Sequence, residues 1–141
     1  MSALEDVLRD LLETTRASRV TLRRDVPGEQ RFPVVEEVLA PGVGSIRGET
    51  TVHLPTQPVV LEVQRGVQVV QDDSARAYDD PAFLRMLEAY GGLAAQIVTP
   101  VIRDGRLEAI LSLHQLGEPR AWTVEEVSAA SLAAERVREL L

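Results

Sequence analysis

Residues 95–116, AQIVTPVIRDGRLEAILSLHQL, flank an Asp-Gly pair with alternating apolar residues, and no other stretch restricts the fold as strongly. A two-residue turn at Asp104 and Gly105 needs left-handed backbone at both positions, which these residue types tolerate, and it joins two long strands into an antiparallel hairpin. The period of two then sorts the second strand: Ala109, Leu111 and Leu113 on one face, Ile110, Ser112 and His114 on the other. The wholly apolar row is expected against a helix layer. The mixed row has the character of a pocket wall, mostly apolar with a few polar groups to orient a ligand.

The elements around the hairpin follow from local chemistry. Ser2 and Glu5 form a capping box, and Leu4, Val7, Leu8, Leu11 and Leu12 give the one-sided stripe of an amphipathic helix over residues 3–16. SRVTLRRD and FPVVEEVLA read as strands, the second bounded by Pro33 and Pro41. Residues 41–56 read as a long loop, either a ligand lid or a locally disordered stretch. QPVVLEVQRG is read as a short helix with Pro58 in its first turn, although its valines also suit a strand. VQVVQDD reads as a strand, and Asp80 caps a helix that starts at Pro81 and is expected to bury Phe83, Leu84, Leu87 and Tyr90.

A second capping box at Thr123 and Glu126 opens a closing helix that can run to Leu141. Val127, Ala130, Ala134, Val137 and Leu141 form one apolar row, and Ala129, Leu132, Ala133 and Leu140 form another. One row can cover the sheet; the other requires the first helix or a second subunit, with small alanines such as Ala134 permitting a close seam. Homodimerisation through the terminal helices is therefore expected. The whole pattern is an α+β domain with a mainly antiparallel sheet, one domain over residues 1–141.

Composition narrows the function. The 141 residues include no cysteine, which removes disulfides, thiolate nucleophiles and cysteine metal sites. A net charge of -7, with every basic side chain an arginine and none clustered, opposes direct nucleic-acid binding. His53 and His114 stand alone without a carboxylate set at ligand spacing, so no metal site is expected. PGVGSIRG has glycines but neither a dinucleotide-loop spacing nor a Walker lysine. No apolar run approaches the roughly 20 residues of a membrane span, and the acidic, amphipathic N-terminus is unlike a secretion signal. A cytoplasmic protein is expected, without cofactor and without catalytic residues, because no nucleophile, base and orienting group converge.

Three stretches taken together resemble the GAF domain family of small-molecule sensor modules: PVVEEVLA, FLRMLEAYGGLAAQIVTPVIRDGRLEAILSLHQ, and GEPRAWTVEEV leading into the closing helix. The ending H-Q-x-x-x-P-R-x-W, from His114 to Trp122, is similar to that of bilin-binding members. The resemblance implies a GAF-like fold: a central five- or six-stranded mainly antiparallel sheet, terminal helices on one face and a pocket on the other. It implies no catalytic mechanism, and the cysteines of covalent bilin binders and of the sulfoxide reductases of this fold are absent. In bilin-binding domains a histidine at the place of His114 touches the chromophore.

The candidate ligand-binding residues are Tyr90, Thr99, Ser112 and His114. Each has a plainer reading: Tyr90 as the last core anchor of its helix, Thr99 as an ordinary strand residue, His114 as a hydrogen-bonded strand end. Two functions stand side by side, a homodimeric module that senses a small ligand or relays a signal to a partner protein, and a dimerisation scaffold whose pocket is filled by its own side chains. In the first, residues 41–56 are the mobile wall and Ser112 and His114 the fixed one.

Overall fold

The computed structural model describes residues 2–28 and 32–141. Helix α1 (Ala3–Thr15) starts where Ser2 Oγ accepts the Glu5 N–H at 3.0 Å, with Glu5 and Asp6 against the positive end of the helix dipole. It ends where Arg16 turns left-handed at φ 55° and returns its N–H to Leu12. Thirteen residues are at the margin of what holds a helix alone in water. Burial of Val7, Leu8, Leu11 and Leu12 therefore stabilises it, at about 1.5–3 kcal/mol per side chain.

Strands β1 (Arg19–Arg24), β2 (Val34–Leu39), β3 (Val69–Gln71), β4 (Leu93–Arg103) and β5 (Arg106–Leu116) form one antiparallel sheet in the order β2-β1-β5-β4-β3. The β4–β5 turn has the expected form, with Asp104 at φ 53° and Gly105 at φ 75°. The Arg103–Arg106 pairing continues through Ile102 and Leu107 and then slips, since Val101 pairs with Ala109. Glu108 is the extra residue of a β-bulge, and from Val101 to Ala95 every facing pair is displaced by one, until a second shift sets Leu93 opposite Leu116.

The sheet divides two cores. On one face α1 and helix α4 (Val124–Leu140) cover Val20, Leu22, Ile97, Leu111 and Leu113. On the other, helices α2 (Pro58–Gln64) and α3 (Pro81–Ala89) lie over Val98 and Ile110. Both helices begin with a proline, and Asp80 caps α3 by accepting from Ala82 and Phe83. The α4 capping box is complete, with Thr123 and Glu126 each accepting the other's backbone N–H.

Three expectations need correction. Residues 41–56 are not loop throughout, because Leu54–Thr56 form a short 3-10 turn. Leu84 is 39% exposed and Met86 is buried instead: the stripe of α3 is Phe83, Met86, Leu87 and Tyr90, and Leu84 lies outside it. Ala134 is not at a seam between subunits, since at 5% exposure it belongs to the core under α4. The second row of α4 is itself divided: Ala129 and Ala133 join that core, while Leu132 and Leu140 stay exposed.

Candidate functional site

The strand pairing that buries Val20 and Leu22 under the helices sends Arg19, Thr21 and Arg23 to the opposite face. Across the ladder Arg19 meets His114 and Thr21 meets Ser112, while on the far side of β5 Gln96 meets His114 and Val98 meets Ser112. Three adjacent strands thus build a polar floor within an apolar rim. Leu54, Gln57, Val59 and Val60 cover it from one side and Met86 and Tyr90 from another, enclosing a cavity of about 40 Å³. That is room for about three waters.

Arg19 is 1% exposed and holds the cavity's end together. Its Nε donates to His114 Nδ1 at 3.0 Å, one terminal nitrogen donates to the Gly44 carbonyl at 3.0 Å, and the other to the Tyr90 carbonyl at 2.7 Å. One guanidinium therefore ties β1 to β5, to the loop after β2 and to the end of α3. Burial pulls the Arg19 pKa down from its ordinary value, and the charge of Glu37 opposes that shift. The guanidinium stays charged in any case, as arginine does not deprotonate in proteins.

His114 is held neutral. Burial, followed by the positive charges of Arg19 and Arg23, pushes its pKa well below 6.5. Because Nδ1 accepts from Arg19, its lone pair is engaged and the ring proton sits on Nε2. Tyr90 stacks on this imidazole, with ring centroids 5.9 Å apart and planes 25° from parallel. The Tyr90 hydroxyl accepts from Arg23 at 3.0 Å, and Arg23 also donates to the Phe32 carbonyl at 2.7 Å. Burial raises the Tyr90 pKa, against the lowering influence of Arg23 and Arg19, so the phenol is neutral too.

Two wall atoms are buried without a protein hydrogen-bond partner, Thr21 Oγ1 and Gln57 Oε1. A buried polar group left unpaired costs about 1–3 kcal/mol, so each is a place where a bound molecule gains an interaction. The loop beside the cavity is anchored rather than loose at its start. Glu37 accepts from the Ser45 hydroxyl and, at 3.0 Å, from the Ile46 N–H, and Ile46 is buried in the cavity-side core. Of residues 41–56, expected as the mobile wall, it is Leu54 that reaches the cavity, followed by Gln57 just beyond that stretch.

Of the residues chosen from sequence, Tyr90, Ser112 and His114 line this one cavity. Thr99 does not: it pairs with Leu111 on the helix-covered face, where its hydroxyl accepts from Gln68 at 3.0 Å. The bulge at Glu108 is the cause. An unbroken two-residue hairpin would set Thr99 opposite Ile110, on the cavity face, and a one-residue slip exchanges the faces. Arg19, Thr21, Arg23, Gln57 and Gln96 were missed. For the first three the signal was present, since a strand whose even positions are core must point its odd positions at whatever lies beneath the other face. Among the described residues no group of three or more His, Cys, Asp and Glu gathers at metal-binding distance. Nor is any of their helices long and apolar enough to cross a membrane.

A sequence model of the GAF domain matches residues 2–140. Solved structures with the same fold include the blue-light-absorbing form of the Thermosynechococcus elongatus PixJ GAF domain, at 22% identity and a TM-score of 0.70, covering 97% of this chain and 83% of that one. A GAF domain from Synechocystis sp. PCC6803 in its photoproduct state has 17% identity and a TM-score of 0.76, covering 97% and 92%. The chromophore-binding domain of a bacteriophytochrome from R. palustris has 17% identity and a TM-score of 0.78, covering 98% of this chain and 53% of that one. At these identities the likeness establishes the fold. No curated protein matches the sequence.

Proposed function

The chain belongs to the GAF domain family, and from that premise we propose that it is a non-catalytic cytoplasmic sensor module that holds a small molecule between the β1–β5 floor and the α2–α3 cover. One observation carries this reading. Thr21, Arg23, Gln96, Ser112 and His114, with Arg19 bonded behind His114, are collected on the inner face of a sheet whose other face is mainly apolar, around a cavity with two unpaired polar atoms. Polar side chains are placed in a core where leucine and valine would pack better only at a cost, and binding is the use that offsets it. Occupancy would pass along β1 and β5 to α1 and α4, whose outer surface joins two copies and presents the signal to a partner protein. Exposed Leu132 and Leu140 support that surface. A thioether-linked chromophore is outside the reading, since the chain has no cysteine.

One observation favours a second reading, a dimerisation scaffold without ligand. A cavity of about 40 Å³ is far below the roughly 300–1,000 Å³ of ordinary ligand pockets, so the wall side chains already fill most of the space. Native mass spectrometry of freshly purified protein, followed by a thermal-shift screen, separates the two. A co-purifying molecule, or a hit that loses affinity in His114→Ala, is the result expected of the sensor. A clean apo mass and no hit favour the scaffold.

A further inference from the structure

Arg23, which lines the cavity, and Arg19, which holds His114 of its wall, stand apart from the other arginines. Among the described residues, Arg9, Arg24, Arg103 and Arg120 are partly covered and each has a carboxylate within 4 Å. Arg19 and Arg23 are also withdrawn from the surface, yet among the described residues neither has a carboxylate within that distance. Glu37 and Glu49 are close enough to influence Arg19 and Tyr90, but both commit carboxylate oxygens to the loop, at Ile46 and Val52, and neither lines the cavity. One positive charge, Arg23, thus lines a cavity whose described walls carry no carboxylate, and a second, Arg19, lies behind His114 with its nitrogens spent on His114, Gly44 and Tyr90.

The hydrogen-bond inventory at that end is one-sided. Arg23 spends one bond on Phe32 and one on Tyr90, and a guanidinium has five N–H groups. The Tyr90 oxygen accepts from Arg23, so its own hydrogen is left to donate. His114 accepts at Nδ1 and therefore offers Nε2–H, and Thr21 Oγ1 has no protein partner. These donors face a cavity whose described lining has no carboxylate. A carboxylate, acceptor-only and planar, meets them and the Arg23 charge together.

Resting on the sensor reading above, we propose that the cavity takes the carboxylate head of a small monoanion, set against Arg23, Tyr90 and His114, with a short apolar chain running under Val59, Val60 and Met86. Arg23 is the one charged side chain of the described lining, which balances a monoanion rather than a dianion such as phosphate, and Val59, Val60, Met86, Val98 and Ile110 suit the carbon that follows. The cavity of about 40 Å³ holds a head group of about three heavy atoms, and a longer chain displaces Leu54 and Gln57. Gln57 Oε1, the unpartnered amide oxygen on the wall, then takes a hydroxyl or N–H carried by that chain.

The test is a titration of isotope-labelled protein, following the His114 ring and the Ser112 amide by NMR, with acetate, butyrate, neutral butyramide and inorganic phosphate as probes. Saturable shifts with butyrate are expected, with butyramide and phosphate at least about tenfold weaker, a difference of about 1.4 kcal/mol. Arg23→Gln is expected to lose butyrate by a similar factor, and Arg23→Lys, which keeps the charge without the fork, to retain part of it. Butyramide binding as well as butyrate would overturn the anionic assignment and leave the pocket reading intact. Phosphate binding as well as butyrate would make this a general anion site and overturn the carboxylate. Failure of every probe would overturn the carboxylate as well, while the sensor reading is decided separately by the co-purification and screening result.

Discussion

Arg19 and His114 face each other across the β1–β5 ladder, and the arginine Nε donates to the imidazole Nδ1 at 3.0 Å. The donor is permanently charged, so the acceptor must be a lone pair, and the pair is stable only with a neutral ring. Tautomer and ring position of His114 are therefore set by a residue 95 positions away in sequence, while burial is the first cause of its neutral charge state. The same guanidinium holds the Gly44 and Tyr90 carbonyls, so the arginine that prepares the histidine also fixes the loop after β2 and the end of α3.

Replacing Arg19 by methionine keeps the stem and removes the fork. It leaves two carbonyls and Nδ1 without their donor, each costing about 1–3 kcal/mol if it stays buried. A loss of about 3 kcal/mol or more is expected in urea unfolding, along with a His114 ring that no longer shows the pure Nε2–H tautomer by nitrogen NMR. A variant that keeps both the stability and the tautomer would show that the histidine is held by its packing alone.

His114 should also make stability depend on pH. Its folded pKa lies well below 6.5, so near neutrality the ring is neutral in both states and its contribution is fully present. As pH falls through about 6.5 the unfolded chain takes up a proton that the folded one refuses, and stability drops by up to about 1.4 kcal/mol per pH unit until the folded pKa is reached. Carboxylates add their own acid dependence, so the measurement is a difference: wild type against His114→Gln, whose amide oxygen can still accept from Arg19. The variant is expected to have a shallower slope between pH 6.5 and 5. Equal slopes would mean that the imidazole accepts its proton in the folded state.

How far the sequence disclosed this site depends on which interactions are local. The hairpin, the caps at Ser2, Asp80 and Thr123, and the helical stripes are written within a few residues of themselves, and the structure keeps them. The face of β5 was legible because its two rows differ sharply in polarity. Thr99 was misplaced because a single extra residue, Glu108, exchanges the faces of one strand relative to the other, and glutamate at that position carries no signature of a bulge. Arg19 and Arg23 were legible by position but not by role. Nothing in SRVTLRRD announces that the inward row will meet a histidine near the other end of the chain.

The anchored start of the loop after β2 gives a prediction of its own. Glu37 accepts from the Ser45 hydroxyl and the Ile46 N–H, which seats Ile46 in the cavity-side core. Glu37→Ala removes both bonds while leaving Arg19 in place. Faster hydrogen exchange is expected over residues 43–47, with β5 unchanged because its ladder pairs on both edges. Acceleration spread equally through β5 would mean that the loop supports the sheet and cannot move independently of it.

The dimer proposed through α1 and α4 is best tested at Leu132. It is 66% exposed and borders a groove with Val7, Leu11, Ala129 and Ala133 between the two helices, flanked by the Arg136–Asp10 ion pair at 3.4 Å. Within one protomer almost nothing is lost by changing it, whereas at a helix interface a leucine contributes about 1.5–3 kcal/mol. Leu132→Glu is therefore expected to weaken association by at least about tenfold, or about 1.4 kcal/mol, with unfolding midpoint in the dissociated state unaltered. Ala134→Glu supplies the contrast, because that side chain is 5% exposed beneath α4 and a charge there is buried in the protomer itself. It should lower the unfolding midpoint at every protein concentration. Analytical ultracentrifugation of both variants decides the matter. A wild-type protein that stays monomeric at high micromolar concentration, or a Leu132→Glu variant that associates as tightly as wild type, would remove this face from the interface.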